Sequence, residues 1–164
     1  ALGYESICEC VDFRLLEPMA PNEIVDRLNG VLPMGLRAYA AAKPVHKAAD
    51  IASAAYEVRL ALPNTSAPKA VQILEAFFAQ PEIIAMKRTK KGEREISLKE
   101  HLHGLAIRPD GGEVLLCVKL PAGSGLNINP TLVLDAFTRQ TGIPIDWLAV
   151  KKTAVLTKEE KNFA

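Results

Sequence analysis

Positive charge is concentrated in one stretch of this sequence, Met86–Ile96, where five of eleven residues are basic and two are acidic. A positive strip of this kind attracts phosphate backbones, with an affinity that falls steeply as salt is added. The alternative interpretation is a solvated hairpin whose charges block strand pairing at its edge. A second basic pair, Lys151-Lys152, lies on the predicted last strand and could share a face with the first. The predicted polyanion-binding residues are Lys87, Arg88, Lys90, Lys91, Arg94 and Lys152.

The overall charge balance supports a preference of polyanions for the later part of the chain. Residues 1–32 carry six acidic and two basic side chains, so a net charge of +1 leaves +5 for the remainder. Only 5% of the residues are aromatic, and the predicted strands carry no aromatic ladder. Stacking of single-stranded bases, as on the sheet of an RNA recognition motif, is therefore not supported.

Two acidic residues near the start are weak candidates for catalysis. Glu9 interrupts the apolar face of a predicted strand at residues 6–16, and Asp12 lies on its other face. An unpaired buried carboxylate is costly, and carboxylates with perturbed pKa values cluster at functional sites. The alternative is that Glu9 lies at a sheet rim or pairs with an arginine across the sheet. Because no catalytic triad can be assigned, we do not expect the chain to be catalytic by itself.

Other residues with metal or phosphate chemistry have simpler interpretations. His101 and His103 lie near Cys117, but residues two apart on a single helical turn point in different directions. The segment Gly123–Gly125 lacks the lysine that ends a P-loop and is predicted to be a hinge. We therefore predict no metal or cofactor in this chain. The three cysteines cannot all pair internally and indicate reduced thiols in a cytoplasmic protein.

Length and composition are those of an ordinary globular domain. The chain has 164 residues, of which 49% are hydrophobic and 24% are charged, and this is enough to build a core without disulfides. No apolar run reaches the roughly 18–20 residues needed to cross a bilayer, so we expect no membrane association. Ala1 directly precedes a strand-like segment without an initiator methionine, which suggests a domain of a longer protein.

The hydrophobic pattern predicts an α+β fold. In residues 1–88 the predicted order is strand, helix, strand, strand, helix, strand, which is a ferredoxin-like βαββαβ unit with both helices on one face of an antiparallel sheet. The predicted strands are residues 6–16, 36–42, 56–62 and 83–88, and the predicted helices begin at Pro21 and after Ser66.

A partial ββαβ unit is predicted in residues 89–157. It consists of a hairpin around Pro109–Gly112, a helix capped by Asn129 and ended by Gly142, and a last strand from Trp147. This unit is expected to pack against the first, either within one extended sheet or as a second module. Residues 158–164 are polar and are predicted to be a flexible tail.

Short motifs spread over nearly the whole chain resemble those of one family. They are Gly3–Ser6, Cys8–Phe13, Leu28-Asn29, Leu32–Leu36, Ala55–Val58, Lys90–Gly92 followed by Ile96, Asn129-Pro130, and Lys151–Ala154. Together they resemble the domain of unknown function of radical-SAM-linked proteins. Lys152 stands where the family pattern leads us to expect arginine, so a planar bidentate contact is not expected there.

The resemblance implies a partner and a location for the chemistry. Members of that family stand at the C-terminal end of bacterial radical SAM proteins or beside them as separate chains. The Cys-x3-Cys-x2-Cys motif that holds the iron–sulfur cluster of such an enzyme is absent here. The cluster and SAM would therefore be bound by a linked or partner domain.

Three hypotheses for the function follow. The first is a non-catalytic module that presents RNA to a radical SAM domain through the basic residues. The second is a protein-docking module that binds the radical SAM domain and contacts no nucleic acid. The third is an independent enzyme that uses Glu9 and Asp12.

Overall fold

The computed structural model describes residues 3–89 and 92–163 and divides the chain into two units. The larger unit combines the start of the chain, up to Glu9, with the residues from Ala48 onward, and the smaller unit is Cys10–Lys47. The helices and strands, in chain order, are β1 (Tyr4–Ser6), α1 (Pro21–Asn29), β2 (Ile51–Ala61), α2 (Ala67–Ala79), β3 (Ile84–Thr89), β4 (Gly92–Ser97), β5 (His103–Asp110), β6 (Glu113–Pro121), α3 (Pro130–Thr141) and β7 (Trp147–Thr157). Short 3₁₀ turns at Ala48–Asp50 and Lys99–His101 precede β2 and β5.

The larger unit contains a five-stranded mixed sheet and a separate two-stranded hairpin. The order in the sheet is β1-β7-β2-β6-β5, with β1 parallel to β7 and the other neighbours antiparallel. The hairpin is formed by β3 and β4. This mixture of helices and largely antiparallel strands confirms the predicted α+β class. In the part of the chain that the structure describes, no helix is long and apolar enough to span a bilayer.

The βαββαβ arrangement is present, but not where the sequence pattern places it. It is formed by β2, α2, β5, β6, α3 and β7, whose four strands lie in the order β7-β2-β6-β5. The β3–β4 hairpin is inserted between α2 and β5. Strands from both predicted units, residues 1–88 and 89–157, therefore pair within one sheet.

The core lies on one face of this sheet, under α2 and α3. Alternate side chains of β2 and β6 are buried, as expected for strands with one face on a core. The buried faces of both helices join the same hydrophobic cluster. Phe77 of α2 meets Phe137 of α3 edge to face, with ring centroids 5.3 Å apart. Both α2 and α3 therefore cover the same side of the sheet, whereas the helix predicted to accompany α2, from Pro21, belongs to the smaller unit.

Two predicted strands are not formed as predicted. Of the strand expected at residues 6–16, only Ser6 is in a strand, as the last residue of β1, and Phe13 and Val11 are exposed. Residues 36–42 form no strand. An alternating apolar pattern shows which side chains share a side of an extended chain, but burial requires a surface to pack against, and no residue of Cys10–Lys47 is buried.

The end of the chain, predicted to be a flexible tail, follows β7. Residues 158–163 fold back on this strand, where Phe163 N donates to Val155 O at 2.8 Å and Thr157 N donates to Lys161 O at 2.9 Å. Lys119 Nζ on β6 adds an ion pair to Glu160 at 2.6 Å. These bonds hold the terminal segment beside the sheet.

Candidate functional site

The basic stretch forms the β3–β4 hairpin. Lys87 lies directly opposite Arg94, so the structure brings these two predicted binding residues together. Arg94 is exposed, whereas the ammonium of Lys87 donates to the carbonyl oxygen of Asn127 at 2.6 Å. Lys90, Lys91 and the side chain of Arg88 lie outside the described part of the chain.

Lys152 belongs to a different sheet from this hairpin. It lies in β7, and its Nζ is 2.5 Å from Glu9 Oε1. Its neighbour Lys151 points to the other face of the sheet, because it pairs in register with Glu57 whereas Lys152 pairs with Tyr56. The ammonium of Lys152 is therefore already paired with a carboxylate of the same chain.

The carboxylate partner of Lys152 is Glu9, and the sequence did not predict this pairing. The alternative of an ion pair across the sheet is realised with a lysine rather than an arginine. The hydrogen bond from Lys152 lowers the pKa of Glu9 below its ordinary value, against an opposing effect of partial burial. Asp12 is an exposed residue of the smaller unit. No group of three or more His, Cys, Asp or Glu among the described residues could hold a metal ion.

Tyr56 of β2 is the cross-strand partner of Lys152, and a second tyrosine packs against it. Tyr4 and Tyr56 meet edge to face with ring centroids 6.4 Å apart, and the Tyr4 hydroxyl is hydrogen-bonded to the Thr131 hydroxyl and accepts from the Thr131 N–H at 3.1 Å. Burial, reinforced by Tyr4 and Glu9, raises the pKa of Tyr56 to about 12. At neutral pH its phenol is protonated, so it cannot act as a base.

The N-terminus of α3 is already occupied by partners from the protein. Asn129 Oδ1 accepts from Leu132 N at 2.8 Å, as its predicted capping role requires, and the Thr131 N–H is bonded to Tyr4. The Tyr4 contacts thus join β1 to α3, and the Lys152–Glu9 ion pair joins β7 to the segment after β1. The sequence could not identify these contacts, because they depend on the parallel pairing of β1 with β7.

Replacing Glu9 by glutamine is expected to lower the free energy of unfolding by less than about 1 kcal/mol at pH 7, since the Glu9 side chain is 64% exposed. A carboxyl whose pKa is lowered by folding stabilises the protein above its ordinary pKa, and this stability is lost as pH falls through the folded pKa. The difference between Glu9→Gln and the natural protein should therefore shrink in acid. Urea unfolding at several pH values measures it, with the exposed Glu75→Gln as the control that should show no such trend.

Above pH 10, Tyr56→Phe is expected to lose less stability than the natural protein as the pH rises. Folding raises the pKa of Tyr56 from 10.0 to about 12, so its contribution is complete below pH 10 and disappears as pH rises toward 12. The natural protein should lose up to about 1.4 kcal/mol per pH unit more than Tyr56→Phe in this range. The exposed Tyr39→Phe is the matched control. An equal pH dependence in all three proteins would contradict the burial of this phenol.

The smaller unit exposes an unusual amount of apolar surface. Of the thirteen large hydrophobic side chains exposed among the described residues, nine lie in this unit. No residue of Cys10–Lys47, all of which the structure describes, is buried. The nine are Val11, Phe13, Leu15, Leu16, Val31, Met34, Leu36, Tyr39 and Val45.

Local hydrogen bonds organise this unit without a core of its own. The Asn29 side chain at the end of α1 donates to Ala38 O at 3.0 Å and accepts from Ala38 N at 2.8 Å, so it holds the following segment as a strand partner would. Arg27 and Glu23 form an ion pair at 2.6 Å along α1. Gly35, with φ of 92°, turns the chain in a conformation that other residues rarely adopt. The apolar side chains are thus presented by a locally bonded backbone.

Fold and surface define an α+β protein whose βαββαβ unit is accompanied by an apolar, coreless segment. By sequence, residues 1–130 match the family described as an uncharacterized protein conserved in bacteria (DUF2344), and the chain belongs to that family. The expected relation to a bacterial domain of unknown function is thereby confirmed. The matched range includes the whole smaller unit and ends at the first residue of α3. Comparison with curated proteins and with solved structures found no significant match.

Proposed function

We propose that this chain is a non-catalytic docking module that binds a bacterial radical SAM protein through Cys10–Lys47. The observation that supports docking is the set of nine exposed hydrophobic side chains on a unit without a buried residue. Exposed apolar surface of this kind marks interaction sites, because an isolated soluble protein gains nothing from presenting it to water. The choice of a radical SAM partner rests on the resemblance of the sequence motifs.

The energetics favour a partner with an apolar surface. Fully burying a Leu, Val, Phe or Met side chain contributes about 1.5–3 kcal/mol, so a few of the nine are enough to drive association. The iron–sulfur cluster and SAM belong to the partner in this proposal, and the chain supplies contacts and orientation.

Co-expression with the radical SAM protein of the same bacterium tests this proposal. We expect a stoichiometric complex on size exclusion that survives 1 M salt, because hydrophobic association is not screened as charge pairing is. A complex that dissociates at high salt, or no complex at any salt, would contradict docking through this apolar unit.

RNA binding is a second candidate, supported by the adjacent cationic side chains of Lys87 and Arg94 on the hairpin. In this alternative the module presents RNA to the radical SAM domain. Lys90 and Lys91, which lie outside the described residues, would add phosphate contacts, whereas the Lys152 ammonium must first leave Glu9.

A salt titration of tRNA binding tests the second candidate. Each phosphate contact that is lost should lower the slope of log affinity against log salt by about one. Arg94→Ala, and Lys90→Ala with Lys91→Ala, should therefore weaken binding and flatten this slope. Lys69→Ala, an exposed lysine on α2, serves as the control. Undetectable affinity at low salt, or equal slopes in all variants, would exclude RNA binding by the hairpin.

A further inference from the structure

A groove of about 650 Å³ lies between β3 and α3 in the larger unit. β3 contributes four consecutive residues, Ile84–Lys87, to its lining. Successive side chains of a strand point to opposite faces, so four consecutive residues line a groove only where the backbone edge of the strand borders it. The opposite wall is one face of α3, from Thr131 to Arg139.

The hydrogen bonds of the hairpin show which edge this is. Leu98 N donates to Ile83 O at 2.8 Å, so Ile83 and Leu98 are a hydrogen-bonded pair. Such pairs alternate with non-bonded pairs along an antiparallel ladder, and the next bonded pair is therefore Ala85 with Ile96.

Ile84 and Met86 occupy the non-bonded positions of this ladder. Their backbone N–H and C=O groups consequently point away from β4, toward the outer edge of β3. β3 has β4 as its strand neighbour, and within residues 3–89 and 92–163 no further backbone hydrogen bond reaches either residue. The groove is thus bordered by a strand edge with unused donors and acceptors.

The dimensions and charges of the groove fit a short extended segment. Residues 84–87 extend over about 10 Å at roughly 3.3 Å per residue. The wall from Thr131 to Arg139 is about 12 Å long at 1.5 Å per residue. Lys87, bonded to Asn127 just before α3, marks one end, and Arg139 in the last turn of α3 marks the other. Two carboxylates also line the groove: Asp135 on α3, between these two ends, and Glu93 on β4.

We infer that the outer edge of β3 accepts an extended peptide of about four residues, with an acidic side chain at each end and an uncharged middle. The peptide adds a third strand to the β3–β4 hairpin, its backbone bonded to Ile84 and Met86. Its terminal carboxylates pair with Lys87 and Arg139, while Asp135 disfavours acidic residues in the middle. This site is independent of the docking proposed for the smaller unit.

Linear heptapeptides displayed on phage, followed by fluorescein-labelled synthetic copies, test the inference on the whole chain. Selection should yield sequences with Asp or Glu at two positions about three residues apart, at the two ends of a four-residue core. Met86→Pro should weaken their binding at least about tenfold, because it removes one backbone donor and blocks the strand edge. Glu95→Pro is the matched control and should change binding less than about twofold. Glu95 is the partner of Met86 in the ladder, so its N–H faces the opposite outer edge.

A charge reversal provides a test that does not depend on a backbone change. Arg139→Glu should weaken binding of the selected peptides, whereas Lys69→Glu on α2 should leave it unchanged. Leu16→Asp, in the smaller unit, should also leave it unchanged, which separates this site from the proposed docking. The inference is overturned if no peptide binds or if Met86→Pro and Arg139→Glu bind as the natural protein does. A dimer that Met86→Pro dissociates would assign the edge to a second copy and also overturn it.

Discussion

Phe137→Ala is expected to destabilise the protein by about 3–5 kcal/mol, the range for removing a buried aromatic ring from a core. The ring is 0% exposed and meets Phe77 at a centroid distance of 5.3 Å, so it joins α3 to α2 over the sheet. Since natural domains have a total stability of about 5–15 kcal/mol, this variant should be close to unfolding at 37 °C. Denaturant unfolding, followed by the fluorescence of the single Trp147, measures the change.

Phe13→Ala is the matched control, because it removes the same ring from a position that is 54% exposed. Its effect on the free energy of unfolding should stay within about 0.5 kcal/mol. A similar loss of stability in both variants would show that the smaller unit contributes to the folded core. A loss below 1 kcal/mol for Phe137→Ala would contradict the packing of α3 on α2.

Leu16→Asp combined with Met34→Asp is expected to weaken binding to the proposed radical SAM partner by about thirtyfold or more, as for an interface hot spot of 2 kcal/mol or more. Both side chains are fully exposed in the free chain, so their replacement should not impair folding. A buried aspartate in the complex would instead be desolvated without a partner. Isothermal titration calorimetry with the purified partner measures the affinity.

Leu105→Asp provides the corresponding control outside the smaller unit. Leu105 lies on β5 and is also exposed, so this variant receives the same chemical change at a site that docking does not use. Equal affinities for the natural protein and the double variant would exclude Cys10–Lys47 as the docking surface. An equal loss in Leu105→Asp would point to a general effect of added charge.

Capping positions and strand faces followed from the sequence because they depend on near neighbours. Asn129 caps α3 and Gly142 ends it with φ of 71°, as their types and spacing predict. The alternation of β2 was similarly sufficient to predict its buried face. In the candidate sites, a hairpin was only the alternative interpretation of the basic stretch, and β4 was not among the predicted strands, so the pairing of Lys87 with Arg94 came from the structure.

The partners of distant segments were decided only by the tertiary structure. Sequence spacing cannot show that β1 pairs in parallel with β7, and this pairing brings Glu9 to Lys152. Nor can it show that the βαββαβ unit begins at β2, since several strands of similar pattern compete for the same neighbours. Phe13 and Phe137 each belong to an equally clear periodic pattern of apolar residues. The Phe13 ring is nevertheless exposed, whereas the Phe137 ring is fully buried. Periodicity is a property of the local backbone, whereas burial depends on which surfaces meet when the whole chain excludes water.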